Sequence, residues 1–277
     1  MTNPKALLDH FGVLPKKSLG QNFLHDPQAL EKIADAAELM PDETVLEIGP
    51  GTGALTAVLA GRVRQVYAVE LDRRLEPIMR LTLAPHANVT VIFDDIMSVN
   101  LPELLGDQPY VVVANVPYYI TSAILRLLLE GKNPPKRIIL TVQLEVAERL
   151  IAKPGDMTLL SVSAQFYAKP KIVARFNKAV FYPRPDIDSA VIRLDVYDAP
   201  PVAVPSADQF FRVVKAGFGQ KRKQLKNSLA EGLHIDHDAA AVLLESAGID
   251  PKRRAETLSL AEWAALTRAH AGNSSDA

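Results

Sequence analysis

Between about residues 29 and 194 the sequence alternates short runs rich in Val, Ile and Leu with longer segments of helical period, and this alternation restricts the fold more than any other feature. The runs fall at residues 44–48, 65–69, 89–93, 110–114, 137–142, 172–176 and 190–196. Strands that are apolar throughout must be covered on both faces, and strands separated by helices pair in parallel, so an α/β fold with a mostly parallel, doubly covered sheet is expected. Too little chain separates the last two runs for a crossover helix, which predicts an antiparallel final strand. Among the helices, residues 27–38 start behind Asp26 as N-cap with Pro27 in the first helical position, and residues 54–60 follow the first strand. Residues 198–206 hold Pro200, Pro201 and Pro205 and read as a linker. After them only helical patterns continue, to about His270, and residues 272–277 are expected to be irregular. The predicted organisation is an N-terminal arm over 1–26, an α/β domain over 27–197 and a small all-helical domain over 206–270.

Composition narrows the chemistry. A chain of 277 residues, 48% hydrophobic and 23% charged, can bury one large core and one small one. No apolar run reaches eighteen residues, and the first residues lack a secretory pattern, so a cytoplasmic protein with no membrane partner is expected. The absence of cysteine excludes disulfides, thiolate zinc sites and cysteine nucleophiles. A formal net charge of -1 gives no global sign of nucleic-acid binding, so any such function rests on local clusters.

Chemical signals gather at the ends of the predicted strands. Gly49, Gly51 and Gly53 follow the first strand, where they permit a tight turn and close approach to a ligand before a helix begins. Glu70, at the tip of the second strand and about 20 residues past the glycines, is placed to take both ribose hydroxyls of a nucleoside. This loop and acid fit NAD as well as S-adenosylmethionine. Two further segments separate the two. Asp94-Asp95 ends the third strand and puts a carboxylate where a methyltransferase would bind the adenine amino group of its cofactor. Asn115-Val116-Pro117-Tyr118-Tyr119 ends the fourth. The lone pair of an adenine N6 is delocalised into the ring, so the nitrogen must be drawn toward tetrahedral geometry and held in line with the methyl group. The Asn115 amide oxygen and a backbone carbonyl, assigned to Val116 and fixed by Pro117, can accept its two N–H bonds. The Tyr118 ring can stack on an extruded base. Neither a metal nor a strong base is required, because the sulfonium is an activated donor and the acidified amine can lose its proton to water.

Five ordered motifs support a family resemblance: Lys16-Lys-Ser-Leu-Gly-Gln-Asn22-Phe-Leu24, Glu47-Ile-Gly-Pro-Gly-Thr-Gly53, Asn115-Val-Pro-Tyr-Tyr119, Phe181-Tyr-Pro-Arg-Pro-Asp-Ile-Asp-Ser-Ala190 and Gly219-Gln-Lys-Arg-Lys-Gln-Leu-Lys-Asn-Ser228. Together, from about Lys16 to Trp263, they resemble the ribosomal RNA adenine N6,N6-dimethyltransferases, and within these the type that dimethylates two adjacent adenines in the 3'-terminal hairpin of small-subunit (16S) rRNA. The resemblance implies a class I S-adenosylmethionine-dependent methyltransferase fold. It implies that Asn22, Leu24, Gly49, Gly51, Glu70, Asp95 and Asn115 bind or frame the cofactor, with Phe181 a second aromatic wall for the target base. Val116 stands where the family usually has Leu, and Asp94-Asp95 where Gln-Asp is frequent; neither change removes the proposed role.

The remaining features are assigned with less chemistry. His234, His237 and Asp238 have metal-ligand side chains but read as a polar loop and helix start, and no metal is expected. The arm from Lys16 to Leu24, with Lys16 and Lys17, is expected to fold over the cofactor and touch RNA. Lys215, Lys221, Arg222, Lys223 and Lys226 form a run that no acid interrupts, with Phe218 within it, and Lys221, Arg222, Lys223 and Lys226 are expected to contact RNA. The expected partner is small-subunit rRNA in a pre-30S particle, met by a monomer. Competing readings are a ribosome-assembly factor with secondary catalysis, a large-subunit enzyme of the antibiotic-resistance type, and an NAD enzyme, which would leave Asn115 and Tyr118 without a role.

Overall fold

In a computed structural model that describes residues 3–115 and 120–275, the chain divides into two compact units: Met1–Ala147 with Lys169–Val196, and Glu148–Ala168 with Tyr197–Ala277. The chain therefore enters the second unit twice, and the proline-rich stretch marks only the later crossing.

The first unit opens with α1 (Pro4–His10) and a two-residue strand β1 (Phe23–Leu24). The arm is thus anchored. Leu7, Leu8, Val13 and Phe23 pack with Leu75 and Ile78 in a buried cluster. Helix α2 (Pro27–Ala36) starts where expected, with Asp26 Oδ1 accepting from the Ala29 amide at 2.8 Å, but stops two residues early because Glu38 takes a left-handed φ of 47°. There follow β2 (Thr44–Ile48), α3 (Ala54–Ala60), β3 (Gln65–Glu70), α4 (Glu76–Leu83), β4 (Val89–Phe93), α5 (Leu101–Leu105), β5 (Tyr110–Asn115), α6 (Thr121–Leu129) and β6 (Arg137–Gln143). After α7 (Leu144–Leu150) and α8 (Leu159–Tyr167) come β7 (Ala168–Phe176), β8 (Phe181–Tyr182) and β9 (Ser189–Val196).

Seven strands form one sheet in the order β4-β3-β2-β5-β6-β9-β7. From β4 to β6 the pairing is parallel, and β9 runs antiparallel to β6. The antiparallel final strand is where the sequence places it, but it is inserted between β6 and β7. Strand β7 also begins four residues before the expected run, because Lys169, Pro170 and Lys171 break its apolar pattern. A separate antiparallel pair, β1 with β8, joins Phe23 to Tyr182 and Leu24 to Phe181.

The second unit holds α8 with α9 (Ala207–Phe218), α10 (Leu225–Leu233), α11 (His237–Ser246) and α12 (Leu260–Ser275). Its core stacks Phe166 on Phe210, with ring centroids 4.4 Å apart, and buries Trp263 completely. Ser206 caps α9, its hydroxyl accepting from the Gln209 amide. The tail differs from expectation, since α12 continues through residues 272–275; residues 276 and 277 lie outside the described chain.

Glycine 232 sets the spacing of α9 and α10, since a Cβ there would sit 2.6 Å from the Ala216 Cα. In an open helix Gly→Ala gains about 1 kcal/mol. Here the obstacle is backbone, which cannot rotate away, and overpacking costs about 1–3 kcal/mol. Gly232→Ala should therefore lower the urea midpoint of unfolding; an unchanged or raised midpoint would show that the helices separate freely.

Candidate active site

Strand register brings distant parts of the sequence to one edge. Ile48 lies beside Val69 and Ala114, and Glu70 beside Phe93. The next residues along each strand, Gly49, Glu70, Asp94-Asp95 and Asn115, consequently emerge together at the carboxyl ends. Strand order reverses at β2, with β3 and β4 on one side and β5 and β6 on the other, and open α/β sheets hold ligands in the crevice at such a point. A cavity of about 1120 Å³, open mouth included, lies there. Asn22, Leu24, Gly49, Gly51, Glu70, Asp95 and Asn115 all line it, and Ile96, Ile120 and Ile124 add apolar wall.

Gly51 lies in the left-handed region with φ 60°, and a Cβ there would come within 2.8 Å of the Phe23 ring. The turn and the arm can meet this closely only with glycine. The Gly51 amide donates to Glu70 Oε2 at 2.9 Å, and the Asp72 amide donates to Glu70 Oε1 at 2.8 Å. Burial pushes the Glu70 carboxyl above the usual carboxylate range, opposed by these backbone donors. A carboxylate has about four lone-pair positions, so Glu70 keeps capacity to accept from a ligand hydroxyl.

The tip of β4 is held by Arg73, whose guanidinium lies 5.6 Å from the Phe93 ring centre and donates to the Phe93 carbonyl. Asp95 Oδ1 accepts from the Met97 amide at 2.9 Å, and its own amide donates to Asp94 Oδ1 at 2.7 Å. Asn115 Nδ2 donates to the Asn22 carbonyl at 3.4 Å, an orientation that leaves Oδ1 as acceptor. The arm and the β5 tip are thereby joined. Val116, Pro117 and Tyr118 lie outside the described residues.

Other sequence-derived sites are placed differently. Phe181 is 3% exposed and packs in the core with Leu24, Leu30 and Phe176. Lys16 and Lys17 are exposed on the arm. Lys221, Arg222 and Lys223 are exposed on the turn between α9 and α10. Lys215 lies on α9 and Lys226 on α10, where it is partly buried. His234 takes a left-handed φ of 57° as the C-cap of α10, while Asp236 caps α11, so the His-Asp segment serves helix ends. Among the described residues no three His, Cys, Asp or Glu side chains stand together as a metal site. No helix of the described chain is long and apolar enough to cross a membrane.

Two features of the site were missed. Gln21, Asp72 and Arg74 form a polar cluster beside Glu70, and Glu47 lies buried on the cavity floor. Glu47 could have been found as the single charge inside an apolar strand. Its Oε2 has no partner among the described residues, and burial together with the Glu70 charge pushes its carboxyl up to about 8, which the nearby Thr56 hydroxyl offsets only in part.

A Rossmann-like sheet with an inserted antiparallel strand, a glycine turn and a strand-tip acid facing one crevice defines an S-adenosylmethionine-dependent methyltransferase. The ribosomal RNA adenine dimethylase family model matches residues 13–269, and the chain belongs to that family. It is 44% identical over 274 residues to the ribosomal RNA small subunit methyltransferase A of Dehalococcoides mccartyi (strain CBDB1), covering 99% of this chain and 94% of that protein. The protein of that name from Pelotomaculum thermopropionicum is 46% identical over 276 residues, with coverages of 95% and 93%. Among solved structures, the 23S rRNA methyltransferase ErmE is similar with a TM-score of 0.72 at 30% identity, covering 90% of this chain and 99% of that one. A dimethyladenosine transferase from Plasmodium falciparum shares the fold, with a TM-score of 0.76 at 24% identity over 88% of this chain and 95% of that one.

Glu47 ties stability to pH. The unfolded chain releases this proton near 4.5, whereas the folded protein keeps it to about 8. Between those values the folded state binds more protons, so this residue lowers stability as pH rises through that window. Glu47→Gln removes the penalty. Its stability advantage over the native chain should grow from pH 5 to pH 8 by on the order of a few kcal/mol in urea unfolding; an equal difference at both pH values would mean that Glu47 ionises freely.

Proposed function

We propose that this chain uses S-adenosylmethionine to dimethylate N6 of two adjacent adenines in the 3'-terminal hairpin of small-subunit (16S) rRNA, acting as a monomer on a pre-30S particle in the cytoplasm. The observation that carries the reading is the convergence of Glu70, Asp95 and Asn115 on one cavity at the strand reversal. The small-subunit assignment is supported by relatives 42–46% identical across nearly their whole length, against 30% for the 23S enzyme.

The chain's own groups fit the cofactor and the work. Glu70 would receive the ribose hydroxyls, Asp95 would take the adenine amino group, and Asn22 and Leu24 would frame the cofactor, all from the lining of this cavity. The cofactor supplies a methyl group already activated on a sulfonium. Asn115 Oδ1 accepts one N–H of the target adenine and the Val116 carbonyl, fixed by Pro117, accepts the other; together they orient the nitrogen lone pair at the methyl group. Tyr118 stacks on the base, and the amine proton passes to water. Lys16 and Lys17 on the arm, and Lys221, Arg222, Lys223 and Lys226, meet RNA phosphates.

Mass mapping of nucleosides after reaction with undermethylated small subunits should find N6,N6-dimethyladenosine at two adjacent positions of 16S rRNA. Product only in large-subunit rRNA, or none in either, would overturn the assignment. Asn115→Ala should cut turnover about a hundredfold, the scale of losing one transition-state hydrogen bond, while cofactor affinity holds within a few fold. Near-normal turnover would remove Asn115 from the chemistry. Changing Lys221, Arg222 and Lys223 together to Gln should reduce the slope of log K against log salt for RNA binding by about two units; an unchanged slope would leave that turn with no phosphate contact.

A further inference from the structure

Asp72 sits two residues past Glu70, is buried, and collects bonds from two directions. Arg74 grips its carboxylate twice, Nε to Oδ1 at 2.8 Å and NH2 to Oδ2 at 2.6 Å. Gln21, from the arm, donates through Nε2 to Oδ2 at 2.8 Å. Burial alone would raise this carboxyl, but the Arg74 and Gln21 bonds outweigh it and hold Asp72 below the usual carboxylate range. The partners reach further into the arm. Gln21 Oε1 accepts from the Lys16 amide at 2.7 Å, and Arg74 NH1 donates to the Leu14 carbonyl at 3.2 Å. On its other side the Asp72 amide fixes Glu70. Leu19, Gly20, Gln21 and Asn22, in the segment these bonds hold, line the cavity.

We propose that Asp72 is a positioning residue that latches the N-terminal arm over the cofactor cavity through Gln21 and Arg74, while its amide holds the ribose carboxylate of Glu70. The proposal rests on the reading of this cavity as the cofactor site. Arm and ribose clamp then share one anchor, so the cavity wall is in register with Glu70 whenever the Gln21 bond is made. The latch is polar and partly exposed on its Arg74 side, and it can open to admit the cofactor without disturbing the buried Leu7, Leu8 and Phe23 contacts that tether the arm. Its contribution is to residence of the cofactor, not to the methyl-transfer step.

Charge inversion and rescue test this. Gln21→Glu keeps the size and the bond from the Lys16 amide but sets a carboxylate against Asp72. The KM for S-adenosylmethionine should rise about tenfold, the scale of losing a hydrogen bond to a charged group, with kcat at saturating cofactor within about twofold. Trypsin should cleave faster after Lys16 and Lys17. Adding Asp72→Asn supplies an amide donor to the introduced carboxylate but gives up the Arg74 bond to Oδ2, so KM and cleavage rate should fall at least about threefold from the Gln21→Glu values without reaching the native ones. A normal KM in Gln21→Glu, or a defect that Asp72→Asn fails to relieve, would overturn the latch. Glu70→Ala, titrated beside them with S-adenosylhomocysteine, separates the two claims: it should weaken binding by about tenfold or more. Loss in Glu70→Ala with no effect of Gln21→Glu removes only the latch, whereas unchanged binding in Glu70→Ala removes the cofactor site itself.

Discussion

The parallel register of β2, β3, β4 and β5 is the constraint on which the site depends. Side chains alternate along a strand, so a one-residue slip would exchange inward and outward faces and carry each strand-end group away from its neighbours. The register is well determined because β2 is buried at all five positions and β5 at its first five, leaving no solvent-facing side that tolerates a shift. The cost is visible at Glu47, an acid inside the most buried strand, whose carboxyl stays neutral up to about pH 8. An apolar residue there would pack without penalty, yet the strand keeps an acid on the cavity floor.

A second layer of order comes from the arm. The Phe23 ring lies against Gly51, Asn22 accepts from Asn115, and β1 pairs with β8, so a segment remote in sequence touches the glycine turn, the β5 tip and the Phe181–Tyr182 strand. Each contact is small. Their combined effect is to make the cavity wall part of the first unit's fold, with α1 packed on Leu75 and Ile78 as the tether.

Much of this was legible in the sequence because the signals were local and periodic. The sheet strands follow from apolar runs that end within a few residues of the observed boundaries, and Gly49, Gly51, Glu70, Asp95 and Asn115 follow from their positions at strand ends. What was missed depends on long-range pairing. Strands β1 and β8 are two residues each and carry no period, and the tie between Gln21 and Asp72 spans 51 positions. The second unit's early crossing at residues 148–168 was hidden because α8 has the same apolar period as any sheet-covering helix. The burial of Phe181 follows from the packing of Leu24 and Leu30 around it, which its motif does not encode. The basic run of Lys221, Arg222 and Lys223 carries no period that separates a turn from a helix, and its place between α9 and α10 is seen only in the structure.

The central claim is that the strand ends assemble one cofactor site around Glu70, and a crystal structure with S-adenosylhomocysteine tests it most directly. The account predicts the nucleoside in the crevice at the β2 end, with both ribose hydroxyls on the Glu70 carboxylate, the adenine amino group at Asp95, and the Gly51 and Asp72 amide bonds to Glu70 retained. A ligand bound elsewhere, or one seated in the crevice with its ribose turned away from Glu70, would contradict it.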